Sequence, residues 1–423
     1  MFSRRTFLKA ALASNMLGIP LVKGMKLFSR DSESMLKELK TPSSPFDEDY
    51  WKMVRKQFYI RGGVYLNTGT AGSVPMYVMN AVFEKMIKRE QFFEGFGWDW
   101  KKLKKDVADF IGINTDELVF TRNTTEGMNF VANGLDLKPG DEILTTTHEH
   151  VGGLCMWELK AKRYGCIIKR ISLPAPPKEP ADLLNPFNDA ISRKTKVISI
   201  CHVTFTTGLL FPVKEFSRLC RDKGVILVVD GAHPPGMLNV NIHDLGCDFY
   251  ATSTHKWLCA PKGTGLLFIK EDMADRLWTT IASGGWDDLS LKAERFNRVG
   301  TRNDQLIYGL WKAVEFQNAI GKDRIEKRIR QLNRYLRENL IKIKGLQLKT
   351  PMRDDMNSGA CSFSIDGFTH QEIGKALKEK GKIYYRLVAE YGYNWIRLST
   401  HIYNSFEEID LALEILNDLV KSR

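Results

Sequence analysis

Cysteine is sparse in this chain of 423 residues: there are seven, an odd number, and their spacing forms no disulfide framework. A small fold stapled by disulfides is thereby excluded. Cys166, Cys201 and Cys247 lie in or beside apolar runs and read as small buried hydrophobes. Long apolar runs are also missing. The stretch over residues 10–22 falls short of the roughly 20 residues a helix needs to cross a bilayer. No nucleic-acid-binding motif is present either. Lys and Arg outnumber Asp and Glu by 62 to 50, for a net charge of +12, but the basic residues are scattered and often sit beside acids. That pattern is a solvated basic surface, not a nucleic-acid site. His148 and His150 supply at most two metal ligands with no third nearby in sequence, so no metal site is expected.

What is present is an ordinary globular balance, 43% hydrophobic and 26% charged, in a chain long enough for two or three domains. At the N-terminus, Ser3-Arg4-Arg5-Thr6-Phe7-Leu8-Lys9 before the apolar residues 10–22 resembles a twin-arginine export signal. Such a signal predicts a partner in the twin-arginine export machinery and a protein that folds in the cytoplasm before it leaves. No small-x-small cleavage site stands out after Val22, so a periplasmic protein and an outward-facing anchored one both stay open.

The chain is organised around Asp248-Phe-Tyr-Ala-Thr-Ser-Thr-His-Lys-Trp257. A short apolar run ends as a strand and delivers three hydroxyls, an imidazole and Lys256 onto a turn. A lysine kept from bulk water loses part of its preference for the charged form and becomes an amine nucleophile. Upstream, residues 225–229 are a continuous apolar, β-branched run of the kind buried on both faces of a sheet. Asp230 closes it at the carboxyl end, where open α/β sheets place their ligands. An amine and a carboxylate so arranged suit pyridoxal 5'-phosphate (PLP), which bonds amines and needs a carboxylate beside its ring nitrogen.

Further strand-to-turn segments follow the same plan. Val64-Tyr-Leu-Asn-Thr-Gly-Thr-Ala-Gly-Ser-Val-Pro75 is a strand entering a Gly-rich turn, and residues 76–93 are apolar at helical spacing. In Leu118-Val-Phe-Thr-Arg-Asn-Thr-Thr-Glu-Gly127, Thr124 and Thr125 join the free amides of a first helical turn to make an anion site. Glu142-Ile-Leu-Thr-Thr-Thr-His-Glu-His-Val-Gly152 and Lys196-Val-Ile-Ser-Ile-Cys-His-Val-Thr204 are strands running into turns, and residues 263–270 read as the strand leading back out. Near the end, Trp395-Ile-Arg-Leu-Ser-Thr-His-Ile-Tyr-Asn404 sets Arg397, a planar fork in an apolar setting, where it suits a substrate α-carboxylate. Residues 325–343 carry one apolar face at helical spacing, a packed amphipathic helix.

Together these segments, from about residue 65 to residue 404, resemble the class V aminotransferase family of PLP enzymes. The resemblance implies an α/β fold of type I, with a large domain on a mostly parallel seven-stranded sheet and a small α+β C-terminal domain. The expected division is a signal or anchor over residues 1–28, a linker and N-terminal arm over 29–63, the large domain over 64–303 and the small one over 304–423. The resemblance also implies site roles. Lys256 would be the Schiff-base lysine, Asp230 the partner of the ring nitrogen, and His233 a neighbour of the phenolic oxygen. His150 would stack on the ring, with His148 as the runner-up. Thr124, Thr125, Ser253 and His255 would hold the phosphate. Gly300 and Thr301 would reach a partner's phosphate in a homodimer, and Asn67 and Arg397 would meet the substrate.

Two departures narrow the reaction. Phe205 stands where cysteine desulfurases of the family carry asparagine, and residues 381–394 hold no cysteine, so persulfide transfer is not expected. Phe205, the run His-Val-Thr-x-Thr-Thr-Gly from His202, and the run Gly-Thr-Arg-x-Asp from Gly300 look closest to the isopenicillin N epimerase branch. The expectation is thus chemistry at Cα of an amino acid or a short derivative. Transamination or an elimination without a catalytic cysteine is the alternative, and a catalytically idle binding protein is the non-enzymatic one.

Overall fold

The computed structural model describes residues 32–40, 47–91 and 97–422. The export-signal motif and residues 41–46 of the expected linker lie outside those residues. Residues 1–42 and 43–423 separate as two units. In the first, the described element is a helix, Ser32–Leu39, within the stretch expected as linker and arm.

Among the described residues, the second unit holds thirteen short strands. β1 (Val64–Tyr65) precedes a seven-stranded sheet formed by β2 (Leu118–Thr121), β3 (Glu142–Thr146), β4 (Ile167–Ile171), β5 (Thr195–Cys201), β6 (Ile226–Asp230), β7 (Phe249–Thr252) and β8 (Gly265–Ile269). Its order is β2-β8-β7-β6-β5-β3-β4. The five strands from β7 to β4 are mutually parallel, and β8 runs antiparallel to both of its neighbours. β5 and β6 are almost wholly buried along their length, because parallel strands lie under helices on both faces. That is why each reads in sequence as an unbroken apolar run. Met128, Trp157, Val197, Val228, Phe249 and Leu267 belong to the core packed on this sheet.

The rest of the chain makes β9 (Leu346–Leu348), β10 (Ala360–Ile365), β11 (Ile383–Tyr384), β12 (Arg386–Val388) and β13 (Trp395–Ser399). An antiparallel sheet of order β12-β13-β10-β9 packs against the helices Lys322–Leu340, His370–Gly381 and Phe406–Lys421 around a second core that includes Leu336, Phe363, Ile396 and Ile409. The N-terminal segment joins this second part: β1 pairs in parallel with β11, and Leu66 lies in its core. Hydroxyls of β10 and of the loop before it fasten the turn after β5, with Ser362 Oγ donating to Thr206 O at 2.6 Å and Ser358 Oγ to Gly208 O at 2.8 Å. Those ties hold the small sheet beside the carboxyl ends of the large one. Among the described residues, no helix is long and apolar enough to cross a membrane.

Candidate active site

The carboxyl ends of β2, β3, β5, β6 and β7 converge on a cavity of about 260 Å³. Its wall includes Asn123, Thr124 and Thr125 after β2, His150 after β3, Cys201, Val203 and Phe205 from β5 and its turn, and Asp230 and His233 from β6 and its turn. Ser253, His255 and Lys256 enter from the turn after β7, while Arg386 and Arg397 enter from the small sheet. Strand ends of a parallel sheet leave free backbone amides and short turns there, so the sheet itself creates the crevice.

The turn after β7 is closed by Lys256 N donating to Ser253 O at 3.2 Å, and Trp257, fully buried, anchors it. Burial lowers the Lys256 pKa to about 8, against the nearby Asp230 carboxylate, which favours the charged form. Lys256 Nζ stands 3.4 Å from His233 Nε2, and the Trp257 indole N–H donates to His233 Nδ1 at 3.0 Å. Asp230 is buried, and that burial raises its pKa; Lys256 and the Ala232 amide, which donates to Oδ1 at 2.9 Å, act the other way.

Thr124 opens the helix Thr124–Gly134, capped by Asn123, whose side chain accepts from the Glu126 amide. Both the amide and the hydroxyl of Thr124 meet Ser253 Oγ, at 3.0 and 2.8 Å, so the two residues form one polar corner. His255 Nδ1 donates to Thr264 O at 3.0 Å, leaving its other nitrogen free in the neutral ring.

His148 and His150 part company. His150 caps the helix Val151–Tyr164, accepting from Gly152 N at 3.1 Å, and reaches the cavity wall in edge contact with Phe205. Lost hydration and then the Lys256 cation hold its pKa down to about 4. His148 is buried in a stack with Tyr393 and Trp395, and its Nδ1 meets Thr206 Oγ1 at 2.8 Å.

Arg397 is 2% exposed, with Nη1 donating to Phe205 O at 2.7 Å and Nη2 reaching Thr70 Oγ1 at 3.4 Å. Burial lowers its pKa to about 9. Three expected site residues, Asn67, Gly300 and Thr301, lie off the cavity wall. Asn67 accepts from the Thr70 hydroxyl at 2.9 Å, and it is Gly69 and Thr70 of that turn that line the cavity. Thr301 lines a different hollow, of about 450 Å³, with Phe120, Arg122 and Leu306. Sequence reasoning passed over Thr70 and Arg386, and it read Cys201 as a buried hydrophobe without placing it on the cavity wall. Thr70 had a signal, since it shares the Gly-rich turn already singled out; Arg386 had none that is local.

One cavity thus holds a partly buried lysine and a buried carboxylate at the carboxyl edge of a mostly parallel sheet, with an arginine entering from a second sheet. A family model, aminotransferase class V, matches residues 94–412, and the chain belongs to that PLP-dependent family. Isopenicillin N epimerase of Amycolatopsis lactamdurans is 28% identical over 88% of this chain and 99% of its own. A probable cysteine desulfurase of Pyrococcus abyssi is 30% identical over 76% of this chain and 84% of its own. The solved apo cysteine desulfurase from Thermococcus onnurineus superposes with a TM-score of 0.80 at 28% identity, covering 90% of this chain and all of that one.

Proposed function

We propose that the protein acts at Cα of an amino acid or a short amino-acid derivative, with Lys256 bonding PLP, in the manner of an epimerase. The observation that carries this reading is the Lys256 amine, lowered to about 8, in one cavity with Asp230 and Arg397. The residues fit the cofactor. Gly152 and Gly153 keep its cradle open: a Cβ at Gly153 would lie 2.6 Å from Asp230 Oδ2, and one at Gly152 would collide with Thr125 Oγ1. Asp230, buried with no basic side chain bonded to it, suits a cationic N–H.

When bound, PLP supplies an aldehyde that bonds amines and a protonated ring nitrogen that draws electrons from the adjoining carbon. Asp230 would keep that nitrogen protonated, and His150 would pack on the ring. Thr124, Thr125, Ser253 and His255 would hold the phosphate beside the helix N-terminus, where the free amides favour an anion. Arg397 grips the α-carboxylate. Lys256 Nζ would hold the cofactor's aldehyde and, as the amine nearest the reacting carbon, would take the proton from Cα and return one.

Persulfide transfer is disfavoured by the cavity's one cysteine among the described residues. Cys201 Sγ donates to Glu149 Oε2 at 2.7 Å, and burial raises its pKa well above the ordinary thiol value. Transamination and elimination remain the competing reactions, since they begin with the same proton removal.

The protein is further proposed to be a homodimer exported by the twin-arginine route. Met79, Phe83 and Ile87 are exposed at four-residue spacing on the helix Met76–Gln91, and Trp278 is 65% exposed. Apolar surface of that kind marks an interface, and the Thr301 hollow would then complete a partner's phosphate site. The direct test incubates purified protein with candidate amino acids in D₂O and follows the Cα–H signal by NMR. Loss of that signal with inversion is expected; retention with every amino acid, by a protein that does carry PLP, overturns the reading.

A further inference from the structure

Arg386 of β12 and Arg397 of β13 are directly paired across the antiparallel ladder, and both line the cavity. Like charges set opposite one another on a sheet repel, so this arrangement calls for an anion. Besides three histidines, Lys256, Arg386 and Arg397 are the cavity wall's basic side chains, and Asp230 is its only acid among the described residues. Under the function proposed above, Lys256 and Asp230 are both engaged with the cofactor. Two guanidiniums are left for the substrate.

Their present partners differ. Among the described residues, Arg397 meets only the Phe205 carbonyl and the Thr70 hydroxyl, and its buried Nε has no hydrogen-bond partner. Arg386 is paired with Glu390 four residues on, and both side chains of the pair are about one-third exposed. An ion pair so exposed is weak, and Glu390 sits in a short turn, Glu390–Gly392, where Tyr391 holds a left-handed φ of 59°. A carboxylate arriving from the cavity can replace Glu390 on the planar fork of Arg386 with two parallel hydrogen bonds. One α-carboxylate on Arg397 leaves Arg386 uncommitted.

We propose that the cavity selects an amino acid or amino-acid derivative bearing a second carboxylate, its α-carboxylate on Arg397 and the distal one on Arg386 in place of Glu390. Arg386 is thus a specificity-determining residue. This rests on the proposed function for the role of Arg397, but it makes its own demand on the ligand.

Isosteric pairs test it. Binding of glutamate against glutamine, and of aspartate against asparagine, is followed by the change in cofactor absorbance of the holoenzyme. Wild type is expected to bind at least one of the acids about 10- to 100-fold more tightly than its amide, the range a charged hydrogen bond supplies. Arg386→Gln should abolish that preference while leaving amide binding within about threefold, Arg386→Lys should restore part of it, and Glu390→Gln should strengthen it. Equal loss for acid and amide in Arg386→Gln would mean both arginines pinch a single α-carboxylate, and no loss for either would mean Arg386 does not bind substrate. Both results overturn the inference. A second readout is independent of the cofactor: glutarate should raise the melting temperature more than butyrate in wild type but not in Arg386→Gln. Failure of that difference sinks the inference even in a protein that shows the cofactor absorbance, whereas missing absorbance alone sinks only the cofactor reading.

Discussion

Lys256 Nζ lies 3.4 Å from His233 Nε2, and the indole of Trp257 decides what that contact can be. An indole N–H only donates, so His233 Nδ1 must accept and the neutral ring carries its proton on Nε2. Burial keeps the ring neutral, its pKa well below the usual value. The Nε2 proton therefore points at the lysine. A neutral amine offers a lone pair there, whereas an ammonium offers only more protons.

Cofactor uptake follows from that contact. The apo-protein should take up PLP covalently at a rate that rises with pH and reaches half its maximum near pH 8, the value to which burial lowers Lys256. An ordinary lysine would place the midpoint near 10.4. Asp230→Asn removes the carboxylate that favours the charged amine, so its midpoint should move below that of wild type. Stopped-flow absorbance across pH measures both, and an upward shift in Asp230→Asn refutes the electrostatic assignment.

Trp257→Phe removes the donor to His233 Nδ1. The ring can then adopt either tautomer, and Nε2 can accept from a charged Lys256. The uptake midpoint should rise towards the ordinary lysine value, with slower uptake at pH 7.5. Trimming a fully buried indole should also cost roughly 1–3 kcal/mol of stability. A loss of stability with no movement of the midpoint would confine Trp257 to packing.

The large sheet and most of the lysine side of the site were legible in the sequence for one reason. Buried parallel strands show as unbroken apolar runs, and the ligand-facing residues follow each run within a few positions. Residues 225–229 and Asp230 became β6, and the strand expected over 263–270 became β8, Gly265–Ile269. The helix expected from 325 to 343 runs over Lys322–Leu340. Arg386 was not legible, because its place in the cavity depends on the register of a three-residue strand against β13. Asn67 and Thr70 sit three residues apart on one turn, and periodicity does not tell which of them faces inward.

Acid should weaken the fold between pH 6.5 and pH 4. His148 and His401 are fully buried, and burial lowers each pKa from 6.5 to about 4. Over that window the unfolded chain binds more protons than the folded one, so stability is present above pH 6.5 and is lost as pH falls through 4. Melting temperatures should drop across this range, and less steeply in His148→Gln, where the Thr206 contact can be kept without a titrating ring. An identical slope in that variant would remove His148 from the account.

Gly153→Ala separates the needs of the helix from those of the site. Alanine is the better helix former by about 1 kcal/mol, so on helical grounds alone the change in Val151–Tyr164 should stabilise. The new Cβ, however, would fall 2.6 Å from Asp230 Oδ2, closer than such atoms pack, and the carboxylate must turn away from where the ring nitrogen would meet it. PLP affinity should therefore fall by about tenfold or more, the loss of one charged hydrogen bond, with little change in the melting temperature of the apo-protein. Gly284→Ala is the control, since its Cβ would meet nothing within 4 Å. Equilibrium titration of PLP into both apo-variants measures the difference, and equal affinities would mean that Asp230 does not approach the cofactor from the side Gly153 guards.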